Sequence, residues 1–263
     1  MAFRQNDDYS IRTQGLAQAE ASELDVGLRQ YMLRVYNYMA SGLVLTGIFA
    51  YGGAKIPALL NLMYAAGPGG ALQPTMFAWI IMLAPLAFIL VLSFGIQRMK
   101  ASTAQAMFWA FAAIMGLSLT HIFLVYTGTS ITRVFFITAG TFASMSLYGY
   151  TTKRDLSKFG SFLFMGLIGI IIASVVNIFM QSSAMAFVIS VVGVLVFVGL
   201  TAHDTQNIKR MYVEGEHSET ASKKAVMGAL SLYLDFLNLF IISLVSHFLI
   251  FLFHLLLIVF IAY

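Results

Sequence analysis

The chain has 263 residues, of which 60% are hydrophobic and 10% charged, with a mean hydropathy of +0.86. Soluble domains carry roughly 25% charged residues, so this composition excludes a water-soluble globule and points to an all-α polytopic membrane protein. The net charge of +4 sits in particular loops rather than on a surface for nucleic acid, and zero cysteines exclude disulfide and thiol chemistry.

Residues 1–30 form a polar segment with Asp7, Asp8, Glu20, Glu23 and Asp25 and no apolar core of a signal peptide, so no cleavable leader is expected. Residues 31–263 read as a single transmembrane helical domain. A helix crosses the hydrocarbon core with about 20 mainly apolar residues, and that length can be laid along the chain repeatedly. The first span is expected over 35–51. A loop follows with the breakers Pro57, Gly67, Pro68, Gly69, Gly70 and Pro74. The second span, 76–96, contains Pro85, which removes a backbone donor and predicts a kink.

The third span covers 103–126 and holds His121; the fourth, 131–150, ends at the polar run TTKRDLSK. The fifth, 159–179, contains Asn177, and the sixth runs over 184–204. A solvated loop, 208–224, then leads to the apolar stretch from Ala225 to Tyr263. That stretch is longer than one ordinary span. It reads as a seventh helix followed by an apolar tail, with an eighth segment left open.

The basic residues alternate between the two sides. Arg4, Arg12, Arg29 and Arg34, then Arg98 and Lys100, then Lys153, Arg154 and Lys158, then Lys209, Arg210, Lys223 and Lys224 fall on one side; Lys55 and Arg133 fall on the other. The positive-inside rule makes the first side, and the N-terminus with it, cytoplasmic.

Asp235 is the last charged residue of the chain and lies inside ALSLYLDFLNLF, an otherwise uncharged run. A lone Asp at the centre of a membrane helix costs about 3 kcal/mol on insertion scales, so it calls for a partner or a wet cavity. The expected partner is Asp204, in TAHDTQNIKR at the end of the sixth span. Helix rise puts Asp204 roughly 10 Å and Asp235 roughly 13 Å from the same surface, so the two are expected level with each other. Paired carboxylates share a proton, and their titration belongs to the pair. They are also hard oxygen ligands suited to a transient contact with Ca²⁺.

Unrelated polar partners such as Asn207, Asn238 or Tyr233 are the plainer explanation of the two Asp residues. Arg98, at the end of the second span, is a candidate counter-charge or an ordinary snorkelling arginine. His121 is a proton relay or a helix-to-helix hydrogen bond. His203 is expected on a different helix face from Asp204, because adjacent residues lie about 100° apart. No nucleophile with its base, and no metal-ligand or phosphate-loop motif, is present in the sequence, so an enzyme is not expected.

AHDTQNIKR at 202–210, ALSLYLDFLNLF at 229–240 and VYNYMASGL at 35–43 together resemble bacterial members of the Bax inhibitor-1 family, also called transmembrane Bax inhibitor motif proteins. The similarity extends over about 31–242, and the tail beyond 246 departs from it. The resemblance implies seven transmembrane helices, six around a central seventh, in a bacterial inner membrane. It implies a pH-sensitive Ca²⁺ leak with Asp204 and Asp235 as the di-aspartyl gate, Ca²⁺ and protons as the species handled, and no cofactor. It also implies an arginine near the end of the second span that competes for the pair. Here that region reads GIQRMK, which sets Arg98 one residue from the usual place and Gln97 in it. The competing expectations are a non-conducting modulator that binds a membrane protease or another membrane protein, and a proton-coupled carrier of a small solute.

Overall fold

The computed structural model describes residues 3–67 and 71–244, and their side chains from residue 26 on. The chain runs through α1 (Phe3–Lys55), α2 (Pro57–Met63), β1 (Tyr64–Ala66), β2 (Leu72–Pro74), α3 (Met76–Gly95), α4 (Ala101–Ser118), α5 (Thr120–Val125), α6 (Gly128–Thr151), α7 (Ser157–Met180), α8 (Ser183–Arg210) and α9 (Ser218–Leu244). The apolar tail after residue 244, and with it the question of an eighth segment, lies outside the described residues.

The expected first loop is partly structured. Ile56 precedes a proline, which disfavours the helical backbone, and it adopts an extended conformation (φ −87°, ψ 112°). Pro57 then starts α2 at the helix position that tolerates a missing N–H, and α2 leaves α1 at 86°. β1 and β2 pair antiparallel, with Tyr64 opposite Pro74 and Ala66 opposite Leu72. Thr75 closes the unit: its hydroxyl donates to the Leu62 carbonyl at 2.8 Å and accepts from the Ala78 N–H at the start of α3. α3 continues as one helix through Pro85. The third expected span is broken once, at Leu119 (φ −88°, ψ 5°), into α4 and α5.

Five helical segments among the described residues are long and apolar enough to cross a membrane: α3, α4 with α5, α7, α8 and α9; the bent α1–α2 pair makes a sixth. α6, at the expected fourth span, has the length of a span with 24 residues but not the apolarity. Threonine, serine and glycine run all through it, and three of the four residues on its inward face, Thr138, Ser146 and Gly149 beside Phe142, are small or hydroxylated. Such residues let helix backbones approach closely in a membrane. A Cβ on Gly149 would collide with the Ala202 carbonyl of α8, and one on Gly116 of α4 with the Thr46 carbonyl of α1.

α9 is the centre of the bundle. It packs against α1, α4, α6 and α8, and 89% of its apolar stretch is buried, against 22% for α3 and α7. Every residue from 232 to 242 is buried, the pattern of a helix enclosed on all sides.

Because the α6–α8 contact is made backbone to backbone, Gly149→Leu is expected to force the two helices apart and cost on the order of 2 kcal/mol, read as a lower melting temperature in detergent. Gly140→Ala, on the same helix with nothing within 4 Å of its added methyl, is expected to leave that temperature unchanged or raise it.

Candidate functional site

The end of α8 and the middle of α9 face each other across a cavity of about 640 Å³, closed on a third side by α7. Asp204 and His203 of α8, Ser231 and Asp235 of α9, and Ser157 and Ser161 of α7 are among the residues that line it. The structure thus brings Asp204 and Asp235 to one space, but in different settings.

Both oxygens of Asp204 are occupied. Ser231 donates its hydroxyl proton to Oδ2 at 2.6 Å, and His203 Nδ1 meets Oδ1 at 2.9 Å, donating when that nitrogen carries the proton. The side chain of Asp204 is 22% exposed and that of His203 21%. The expectation that His203 turns to another face is therefore incorrect: the ring folds back along its own helix to its neighbour's carboxylate and lies against Gly160 of α7. The backbone angle between adjacent residues does not fix where a side chain with two rotatable bonds ends.

Asp235 is 2% exposed, and its Oδ2 is buried with no hydrogen-bond partner among the described residues. It stands one turn, about 6 Å, beyond Ser231 along α9, and Ser231 is the residue of α9 that Asp204 bonds. Arg98 is not part of this arrangement. It is exposed in the turn between α3 and α4 and lines no part of the cavity. His121 lies in α5 with Nδ1 at 3.1 Å from the Ser118 carbonyl, also outside the cavity. No group of three or more His, Asp or Glu side chains among the described residues is placed to hold a metal ion, and the two carboxylates that line the cavity are Asp204 and Asp235.

On its other flank α9 is fastened. Tyr233 is fully buried with its hydroxyl 2.6 Å from Thr46 Oγ1, and Thr46 in turn meets the carbonyls of Gly42 and Ala112, both at 2.9 Å. Since the single Thr46 proton goes to a carbonyl, Tyr233 donates to Thr46. The edges of Phe108 and Phe111 pack on the Tyr233 ring at 5.9 and 5.5 Å. One residue thereby joins α1, α4 and α9.

The rest of TAHDTQNIKR, which the sequence reading passed over, holds α8 in place. Thr205 donates to the Thr201 carbonyl at 2.7 Å and meets Ser146 of α6 at 2.9 Å; Ser146 meets Tyr36 of α1 at 2.5 Å. Gln206 spans the α6–α7 loop, accepting from the Leu156 N–H and donating to the Arg154 carbonyl, both at 2.8 Å. Lys209 donates to the Tyr150 carbonyl, at the C-terminus of α6. The signal available in the sequence was the density of donors on one short helix end, more than a span needs merely to stop.

The α8–α9 loop is pinned as well. Glu219 accepts from the Ala101 N–H at the start of α4, and Lys224 bridges Glu216 and the Met211 carbonyl. Asp155, in the α6–α7 loop, accepts from the Ser157 N–H at 3.0 Å and from Arg210 at 2.7 Å; these bonds, the backbone one first, hold its carboxyl well below the usual carboxylate range.

Comparison with known proteins places these features in context. The family model described as inhibitor of apoptosis-promoting Bax1 matches residues 28–260, which carries the match past 242 and through most of the apolar tail. An uncharacterized protein of Rickettsia prowazekii is 49% identical over 217 residues, 82% of this chain and 88% of the relative. The inner membrane protein YbhL of Escherichia coli K12 is 44% identical over 220 residues, 83% of this chain and 91% of YbhL. An uncharacterized membrane protein of Streptococcus pyogenes is 36% identical over 220 residues, 84% of this chain and 93% of the relative.

Asp155 gives a pH prediction with a definite sign. Its carboxyl titrates lower in the folded protein than in the unfolded chain, so its contribution to stability is complete above about pH 4 and fades as the pH falls below that. Asp155→Asn is expected to lower the melting temperature slightly at neutral pH and to converge with the wild type in acid, as measured by parallel melts across that range.

Proposed function

This chain belongs to the Bax inhibitor-1 family, and on that premise we propose that it is a pH-sensitive calcium leak of a bacterial inner membrane, gated by Asp204 and Asp235. The observation that carries the reading is Asp235: a carboxylate buried at the core of the bundle, with an oxygen lacking a hydrogen-bond partner among the described residues, beside a cavity that it shares with Asp204. A group so placed is costly to keep unless its charge is used.

In this reading the bundle crosses the membrane seven times. α6 counts as a span because its small, polar inward face is buried against α8 and α9 and its outward face meets lipid. The ends bearing Arg98, Lys100, Lys153, Arg154, Lys209 and Arg210 lie in the cytoplasm, together with the N-terminus. The cavity then opens toward the cytoplasmic half of the membrane.

The gate works by charge. With a proton on the pair, the attraction of the cavity for a divalent cation is weak and α9 stays seated against α8. With both carboxylates ionised, they repel across a poorly solvated space, and the repulsion favours a state with α9 shifted from α8 and water or Ca²⁺ between them. Ser231 and His203 keep the Asp204 carboxylate in position, so the variable partner is Asp235.

Proteoliposomes loaded with a Ca²⁺-sensitive dye test this directly. Wild-type influx is expected to rise with pH by about tenfold across the titration of the pair, equivalent to ~1.4 kcal/mol of gate free energy. Asp204→Asn and Asp235→Asn are each expected to flatten that rise, while Arg98→Gln, outside the cavity, leaves it in place. Wild-type vesicles no leakier than empty ones at every pH would sink the leak and favour a non-conducting modulator that acts through a membrane-protein partner.

A further inference from the structure

A second groove, of about 560 Å³, opens between α1 and α6 on the outside of the bundle, away from the carboxylate cavity. On α1 it extends from Arg29 to Leu43, and on α6 from Tyr150 back to Phe142. Along α1 this is about 21 Å, the reach of a long acyl chain. Its walls are apolar and open: Leu33 is 50% exposed and Leu147 62%, and Ala40 and Ala143 are exposed as well. Of the three hydroxyl-bearing residues on its lining, Tyr36 and Ser146 bond to each other midway along the slot, and Tyr150 stands at its charged end.

Charge is confined to one end. Arg29 stands at the mouth with no ion-pair partner among the described residues. Lys209, which is not itself part of the lining, donates to the carbonyl of Tyr150, a lining residue, with its ammonium 4.9 Å from the centre of the Tyr150 ring. A tyrosine at the level where charge begins is the usual sign of the membrane–water interface. A long apolar slot with Arg29 at its end, and a second cation held on Tyr150, is complementary to a phospholipid of negative headgroup charge, because basic pockets between membrane helices take anionic headgroups while the slot takes the chain.

We propose that this groove is a binding site for one anionic phospholipid, its acyl chain between α1 and α6 and its headgroup at Arg29 and Lys209. The lipid would fill the gap that the Tyr36–Ser146 contact spans at a single point.

Native mass spectrometry of the full chain in detergent, with phosphatidylglycerol or phosphatidylcholine added, tests the site. One phosphatidylglycerol per chain is expected to be retained, about fivefold more tightly than phosphatidylcholine. Arg29→Gln is expected to bring the two lipids level. Ala143→Trp fills the groove and is expected to abolish retention of either lipid with the melting temperature unchanged; Ala40→Phe fills it from the other wall if the first variant does not fold. Equal retention of both lipids by the wild type, or a headgroup preference that survives Arg29→Gln, would overturn the proposal. So would a chain ending at Leu244 that takes up a lipid the full chain does not hold, since the occupant is then the protein's own C-terminal segment.

Discussion

A helix that is buried on every side has no solvent to which a charged side chain can turn, and α9 carries Asp235 in the middle of its enclosed stretch. Desolvating an isolated carboxylate costs several kcal/mol even after the protein relaxes, far more than one packing contact returns. Apolar neighbours enclose Asp235 on most sides, and the flank toward α7 and α8 is left as a cavity rather than filled. Leu, Phe or Ile in that space would improve packing and strand the charge. The empty volume and the carboxylate therefore belong to the same solution.

Holding such a cavity open requires the elements around it to be fixed from outside. The last turns of α8 do this with a short run of polar residues. Thr205 ties α8 through Ser146 to α1; Gln206 and Arg210 fasten the α6–α7 loop; Lys209 caps α6. From the other side, Glu219 and Lys224 brace the α8–α9 loop against α4 and α8. Individually, exposed ion pairs such as Arg210 with Asp155 contribute little. Together they define where two helices emerge from the membrane, and hence the width of the space between them.

Much of this was legible in the sequence. Apolar runs of span length separated by charged loops gave the helices nearly in place, and an Asp in an uncharged run marked the buried carboxylate. α6 was expected from its position between turn signals, although its small polar face lowers its hydropathy below that of its neighbours. What the sequence could not convey was local geometry. The ribbon of β1 and β2 rests on three residue pairs and no hydrophobic alternation, and the choice of Ser231 rather than Asp235 as the partner of Asp204 depends on how α8 and α9 pack. The contact between His203 and Asp204 depends on a rotamer, which no spacing rule reports.

Tyr233 and Asp235 are two residues apart, so they project from nearly opposite flanks of α9. One flank is anchored by the Tyr233–Thr46 hydrogen bond and two aromatic rings; the other borders a void. In the gate proposed above, a helix fastened on one flank and bordered by a cavity on the other would not slide along its axis. It would rock, with the clamp as fulcrum and the two arms of the helix moving in opposite senses. Thr46 would then belong to that gate as much as the carboxylates do, although it carries no charge: it would set the point about which α9 turns, and so how a small displacement at one end is converted into a displacement at the other.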